Sequence, residues 1–168
     1  TTNYFAYGAV ANNSTPSTIV GFTSSVANAQ YCYTSDVTGT GGWTLGSPSY
    51  SAPASDYYPL LGATAYGHGY FIAFWNPATS ATIGATPTFL VSINESTMVP
   101  TWVTYDTGFV AESMAAGEVS SGVQGFMACG GYGSVQRSNT DGTSWGAIKN
   151  DSYIWGNVFL RAIAYGNG

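Results

Sequence analysis

Residues 65–74 read Ala-Tyr-Gly-His-Gly-Tyr-Phe-Ile-Ala-Phe and decide the fold class of the chain. A turn of small residues leads there into an aromatic and β-branched run, the composition of a strand that leaves a hairpin. The stretch recurs: residues 164–168 repeat its first half, 122–130 form a weaker copy, and 3–8 resemble its second half. A recurring hairpin block predicts tandem β-sheet units.

Short strands are predicted on both sides of this stretch. Gly, Pro, Asn and Ser interrupt the chain about every 8 to 12 residues, a spacing typical of all-β domains. The runs between them predict strands at 3–7, 18–23, 30–33, 70–75, 88–93, 102–105, 125–129, 134–137 and 159–164. One short helical turn is predicted at 111–116, closed by Gly117. We therefore expect a single all-β domain over residues 1–168 with three antiparallel sheet units, approximately 1–64, 65–121 and 122–168, propeller-like or irregular in shape.

A second landmark follows each copy: a strand, then Asp or Asn near Ser or Thr, then Trp. The third unit has Ser-Asn-Thr-Asp-Gly-Thr-Ser-Trp at 138–145, and the first and middle units have looser versions. Each version suits a hairpin in which the Asp or Asn caps its own turn and Trp folds back on it. The residues predicted to form these turns are Asp36, Trp43, Asn94, Trp102, Asp141, Gly142 and Trp145, with the three tryptophans mostly buried.

These turns resemble the Asp-box, or sialidase-type, repeat of β-propeller blades. Together with the Ala-Tyr-Gly-Asn-Gly stretch, they are similar to propeller-like modules of bacterial exported proteins and phage tail or spike proteins. Three units are fewer than the roughly four to eight blades of a closed propeller. The resemblance therefore implies an irregular β domain, closure through the two termini, or a ring completed by several copies.

Composition limits the partners and the environment. Charged residues make up 7% of the chain, with three basic residues and a net charge of −5. Three basic residues are too few to form a phosphate-binding track, and nucleic-acid binding is therefore excluded. No apolar stretch approaches the ~20 residues of a membrane helix, and no signal peptide is recognisable at residues 1–6. The abundance of Ser and Thr and the scarcity of Lys favour an extracellular or virion-surface location.

Cysteine and acidic residues give no metal site. Cys32 and Cys129 are too far apart for CxxC chemistry, and one His leaves no Cys/His zinc set. The two cysteines form either a disulfide or two buried free thiols. Asp36, Asp141 and Asp151 lack the spacing of a calcium loop. No metal and no cofactor are predicted.

Catalytic patterns are weak. Gly-x-Ser-x-Gly at 142–146 has the form of a nucleophile elbow, but Ser144 lies in a predicted hairpin, and His68, the one histidine, lies in another turn. Sialidases, as the resemblance implies, hold the substrate carboxylate with three arginines, whereas this chain has Arg137 and Arg161. A glycosidase pair could be drawn from Asp106, Glu112 and Glu118, although solvated surface acids are the simpler interpretation. The chain is predicted not to be an enzyme.

Aromatic residues beside turns remain the best candidates for a binding surface. They stack on sugar rings and pack in protein interfaces. The candidates are Tyr57, Tyr58, Trp75 and Trp155. We expect a non-catalytic receptor-binding or adhesive module of a phage tail fibre, spike or cell-surface appendage, acting as a homo-oligomer on a glycan or surface protein. The alternatives are a structural subunit of a capsid, surface layer or filament, and an extracellular carbohydrate-active enzyme.

Overall fold

The structure of the chain is a computed structural model. It describes residues 5–12, 17–24, 28–36, 38, 41–47, 50–51, 60–76, 88–105, 110–150 and 160–166. Regular structure in these ranges is extended, apart from one 3-10 turn at Gly131–Gly133. The all-β prediction is therefore confirmed.

The strands form three separate antiparallel sheets, none of them closed into a barrel. The first contains β1 (Phe5–Ala11), β2 (Ile19–Ser24) and β3 (Asn28–Thr34), with two short strands, β4 (Thr44–Leu45) and β5 (Tyr50–Ser51), on the free edge of β3. The second contains β6 (Leu60–Gly67), β7 (Tyr70–Asn76), β8 (Thr88–Asn94) and β9 (Pro100–Tyr105). The third contains β10 (Ala111–Ser120), β11 (Val123–Gly130), β12 (Ser134–Ser138) and β13 (Trp145–Asn150). Within each sheet the order along the chain is the order in space.

Three sequence predictions need correction. The unit boundaries at 64/65 and 121/122 fall inside β6 and in the β10–β11 turn, because the recurring stretch marks the first hairpin of a sheet and not its start. The helical turn predicted at 111–116 is wrong, since β10 pairs with β11 there, and sheet pairing overrides the helix propensity of Ala, Glu and Met. Residues 160–164 of the strand predicted at 159–164 lie outside any strand.

The hydrophobic core consists of two layers between the three sheets. The first layer joins Val20, Phe22 and Tyr31 of the first sheet to Phe71 and Trp75 of the second. The other layer joins Ile72, Phe74 and Leu90 of the second sheet to Met114 and Phe126 of the third. The middle sheet is thus covered on both faces, which explains why residues 71–75 of β7 are all buried.

The first strand of each sheet lies next to the first strand of a neighbouring sheet. β6 contacts β1 on one side and β10 on the other. Its hairpin to β7 turns at His68 and Gly69, whose φ angles are 53° and 81°. Two consecutive positive φ angles are the requirement of a type I′ turn, and Gly69 adopts such an angle without a side-chain clash. Of the helices in the described ranges, none has the length and apolar character needed to span a bilayer.

Candidate functional site

Each sheet joins its third and fourth strands through an Asx turn, in which the side-chain oxygen of Asp or Asn accepts hydrogen bonds from the residue two positions later. Asp36 Oδ1 accepts from the Thr38 main-chain N–H and hydroxyl at 2.9 and 2.6 Å. Asn94 Oδ1 accepts from Ser96 at 3.0 and 2.7 Å. Asp141 Oδ1 accepts from Thr143 at 2.9 and 2.7 Å. The three sheets therefore share a local geometry that their sequences share only loosely.

The third of these turns is fixed against the middle sheet. Gly142 has a φ of 70°, and an added Cβ would lie 2.5 Å from Cδ1 of Ile72. Trp145 donates from Nε1 to the Gly142 carbonyl at 2.7 Å and packs edge-on against Phe74, with ring centroids 5.0 Å apart. The turn is thus a structural clamp between two sheets.

The tryptophans beside the turns differ in burial. Trp102 and Trp145 are partly buried, and Trp102 packs 5.6 Å from Trp75. Trp43 is 44% exposed, so the expectation that it is mostly buried is wrong. The reason is its position: it precedes the short edge strand β4 and lies over Gly21 on the outer face of the first sheet, where no described sheet covers it.

A polar cleft lies where the Asx turns of the first and second sheets meet, and we call it the inter-turn cleft. Its volume is about 220 Å³. Hydroxyl groups line most of it, joined by an aromatic ring, a thioether and a carboxylate; the lining residues are Thr18, Tyr33, Thr34, Ser35, Gly42, Thr44, Glu95 and Met98. The inter-turn cleft thus combines an aromatic ring, several hydroxyls and an acidic group.

Glu95 is held rigidly at the side of the inter-turn cleft. Its Oε1 accepts a hydrogen bond from Nδ2 of Asn12, and its Oε2 accepts one from the Tyr66 hydroxyl at 2.6 Å. Asn12 is buried and is itself tied to the first sheet, since its Oδ1 accepts from the Thr18 N–H at 2.6 Å. The carboxylate therefore links the first two sheets and is fixed in one orientation.

Tyr31 and Tyr33 form the aromatic wall behind the inter-turn cleft. Their rings stack with centroids 6.4 Å apart and an angle of 21° between the ring planes. Burial raises the pKa of the Tyr31 hydroxyl, which donates to the Met98 carbonyl at 2.8 Å. The Tyr31 hydroxyl is thus neutral at physiological pH and anchors the wall to the middle sheet.

The aromatic residues predicted to bind a ligand are not brought together by the described structure. Trp75 is fully buried and packs at 5.7 Å against Phe22 between the first two sheets, so its assignment to a binding surface is wrong. Its position in a strand covered on both faces explains the burial. Tyr57, Tyr58 and Trp155 lie outside the described residues.

The cysteines are free thiols, so the disulfide alternative is corrected. Cys32 lies in β3 of the first sheet and Cys129 in β11 of the third, with the middle sheet between them. The Cys32 thiol lies within hydrogen-bonding distance of the Gly21 carbonyl, and the Cys129 thiol within that of the Leu160 carbonyl. Burial raises the pKa of both thiols.

The other chemical candidates serve turns. Ser144 is exposed in the β12–β13 hairpin, and its N–H donates to Asn139 Oδ1 at 3.1 Å. Glu118 Oε1 accepts from the Gly122 N–H at 2.6 Å in the β10–β11 turn. Asp106 and Asp151 lie outside the described residues, where the structure says nothing of them. Within the described ranges, no three His, Cys, Asp or Glu side chains are close enough together to hold a metal ion.

Comparison of the chain with family models, with curated proteins and with solved structures finds no match. Function must therefore be inferred from the residues of the chain itself.

Sequence reasoning missed the residues that define the inter-turn cleft. Tyr33 was contained in a predicted strand without a role, and Glu95 was not considered. One signal was available: Glu95 lies directly after Asn94, inside a turn that the repeat had already marked. Its partner Asn12 is 83 residues away, a separation that no local pattern bridges.

Proposed function

We propose that the protein is a non-catalytic binding module that recognises a carbohydrate in the inter-turn cleft, at an extracellular or virion surface. The observation that carries this proposal is the combination of the Tyr33 ring, hydroxyl groups and the oriented Glu95 carboxylate in one cleft. Sugars offer apolar ring faces and many hydroxyl donors, which such a combination satisfies.

The size and charge of the cleft support a small, uncharged ligand. A volume of about 220 Å³ is below the roughly 300 to 1,000 Å³ of sites for drug-sized ligands. Among its described lining residues, Glu95 is the one charged group, and it accepts rather than donates hydrogen bonds. A single neutral sugar unit of a longer glycan suits this cleft better than an anion does.

The arrangement favours binding over hydrolysis. Glycoside hydrolysis commonly uses two carboxyl groups about 5 to 10 Å apart, one of them able to give up a proton. The lining of the inter-turn cleft contributes Glu95, whose two oxygens already accept from Asn12 and Tyr66. A carboxylate held in this way is suited to positioning a ligand.

The proposal also includes a relationship to Asp-box propeller modules and a place in a multi-copy assembly. Two features support a relationship to Asp-box propeller modules. Each sheet has an Asx turn at the same place, and the Trp of the third turn donates to the carbonyl of the glycine in that turn. Such a module suits a tail fibre, spike or surface appendage, where several copies would present several clefts. The shortage of charge in the chain suits an assembly of this kind.

A second candidate function, a structural subunit, is favoured by the outer face of the first sheet. Trp43 and Leu45 are 44% and 60% exposed there, at neighbouring positions. Exposed apolar residues grouped on one sheet face are typical of contact surfaces. Light scattering separates the candidates: large polymers that bind no sugar would favour the structural subunit.

The test of the proposed function is a glycan array of neutral and acidic oligosaccharides, followed by calorimetric titration of the best sugar into the purified chain. We expect saturable binding that Tyr33→Ala and Ser35→Ala each weaken about tenfold or more. Trp43→Ala is the matched control, because its side chain lies on the outer face of the first sheet. Binding that is lost in the control and retained in the cleft variants would place the ligand elsewhere and overturn the proposal.

A further inference from the structure

A three-residue pattern marks the first strand of every sheet. It reads Ala-Tyr-Gly at 6–8 in β1, Ala-Tyr-Gly at 65–67 in β6 and Ala-Ala-Gly at 115–117 in β10. A fourth copy, Ala-Tyr-Gly at 164–166, follows the last described strand.

The packing of the fourth copy repeats the packing between the second and third sheets. The glycine of β6, Gly67, faces Ala116, the residue before the glycine of β10, with 2.2 Å between Ala116 Cβ and an added Cβ. The glycine of β10, Gly117, faces Tyr165, the residue before the glycine of the fourth copy. An added Cβ on Gly117 would lie 2.3 Å from Cδ2 of Tyr165. The same two pattern positions therefore meet in both places.

Hydrogen bonds fix residues 160–166 in this position. The Leu160 N–H donates to the Gly130 carbonyl at 3.0 Å, and the Ile163 N–H donates to Ser113 Oγ at 3.2 Å. The segment thus lies against β10 and the end of β11, on the face of the third sheet opposite the middle sheet. It has no strand partner in the described structure.

The second and third sheets show what belongs beside such a segment, whereas in the first sheet the equivalent Phe22 pairs with the glycine itself, Gly8. Phe71 of β7 pairs with Tyr66, and Phe126 of β11 pairs with Ala116, so the second strand puts Phe opposite the residue before the glycine. Both phenylalanines are fully buried, and each packs toward the preceding sheet. No described residue stands opposite Tyr165, which is 51% exposed.

An apolar cavity lies between the third sheet and residues 163–165. Its volume is about 240 Å³, and its lining includes Ala115, Val119, Met127, Ile163 and Tyr165. The cavity joins the outer face of the third sheet to the ring of Tyr165. It continues the sheet-to-sheet packing already seen on the other face of that sheet.

We infer that residues 160–166 occupy the place of the first strand of a fourth sheet, and that their outer edge, which pairs with no described strand, accepts an antiparallel strand with an aromatic residue opposite Tyr165. The occupant is a partner polypeptide whose strand has the aromatic and small-residue sequence of β7. Main-chain hydrogen bonds would provide affinity, and the aromatic residue in the cavity would provide specificity, as in strand addition to a sheet edge. The inference is independent of the carbohydrate site.

The test uses a fluorescein-labelled peptide with the sequence of residues 69–76, Gly-Tyr-Phe-Ile-Ala-Phe-Trp-Asn, followed by two lysines for solubility. Fluorescence anisotropy measures its binding to the 168-residue chain. We expect saturable binding that weakens about tenfold when Lys replaces the Phe corresponding to Phe71. We also expect Gly117→Val to weaken binding about tenfold, because the new side chain displaces the Tyr165 ring.

Two further variants keep the result decisive. Tyr165→Ala removes a half-exposed ring without disturbing the described core, so it should lose binding while the melting temperature is retained. Gly146→Ala is the control in the same sheet, since no atom lies within 4 Å of its added Cβ. Absent binding, or equal binding by all variants, would overturn the inference. A dimer that blocks the peptide and dissociates in Gly117→Val would show that a second copy is the occupant, contrary to our choice.

Discussion

Ser92 donates a hydrogen bond from its side-chain oxygen to the main-chain oxygen of Asp141, at 2.5 Å and across 49 residues of sequence. Ser92 is buried in β8 of the middle sheet, and Asp141 lies in the Asx turn of the third. The bond therefore fixes the β12–β13 hairpin to the neighbouring sheet through the backbone of the turn.

Replacing Ser92 with Ala should destabilise the protein by about 1 to 2 kcal/mol, because the half-buried carbonyl of Asp141 loses its donor. Urea denaturation followed by tryptophan fluorescence measures the change in the free energy of unfolding. Ser144→Ala, an exposed change in the same hairpin, should stay within about 0.5 kcal/mol of the parent. Equal effects of the two changes would argue that the Ser92 bond does not connect the sheets.

Two glycines with similar backbone angles should respond differently to alanine. Gly69 and Gly142 have φ angles of 81° and 70°, so each substitution costs about 1 to 2 kcal/mol of backbone strain. At Gly69 an added Cβ has no neighbour within 4 Å, whereas at Gly142 it would lie 2.5 Å from Ile72. We expect Gly142→Ala to cost about 1 to 3 kcal/mol more than Gly69→Ala in thermal or urea unfolding. A smaller effect at Gly142 would contradict the close approach of the turn to β7.

Glu95→Gln should weaken the connection between the first two sheets. Asn12 Nδ2 and the Tyr66 hydroxyl both donate to the Glu95 carboxylate. The amide oxygen of Gln can accept from one of them, but its NH2 group then faces the other donor. We expect a loss of about 1.5 to 3 kcal/mol, the range for hydrogen bonds to charged groups. Glu118→Gln is the matched control, because that exposed carboxylate accepts from a turn N–H in one sheet and should lose less.

A double-mutant cycle makes this prediction sharper. If Tyr66 donates to Glu95, then Tyr66→Phe should cost less in the Glu95→Gln background than in the parent. Additive effects would contradict the hydrogen bond between them.

Stability should fall at alkaline pH because of the buried Cys129 thiol and the half-buried Cys32 thiol. Their raised pKa values mean that the unfolded chain loses its thiol protons, near pH 8.5, before the folded chain does. Stability from this source is therefore complete below about pH 8.5 and is lost as the pH rises through the folded pKa values. Urea unfolding at pH 7 and at pH 9.5 should show the decrease, and a Cys32→Ala, Cys129→Ala variant should show less of it. Thiol titration in urea without reductant should yield two free groups; none would restore the disulfide alternative.

Local patterns were sufficient for the fold class and the turns. Short runs between turn residues predicted β7, β8, β11 and β12 close to their observed bounds, because strand preference and burial agree there. They failed at β10, whose sequence Ala-Glu-Ser-Met-Ala-Ala favours a helix and is made a strand by its pairing with β11. Local sequence could not predict that pairing.

The candidate site was less predictable than the fold for the same physical reason. The inter-turn cleft forms where two turns from different sheets meet, so its residues are linked by contacts over long sequence separations. Trp75 was misassigned because an aromatic residue beside Asn and Pro looks like a surface residue until both faces of its sheet are known to be covered.

The burial of β7 on both faces also changes how its alignment is fixed. In a sheet with one wet face, a shift by one residue would put polar side chains into the core, and that cost enforces the pairing. In β7 the same shift would exchange Phe71, Ala73 and Trp75 for Ile72 and Phe74, apolar residues on either side. Hydrophobicity therefore offers little protection against slippage of this strand, and side-chain volume and the two-residue turn at His68 and Gly69 must specify the correct pairing.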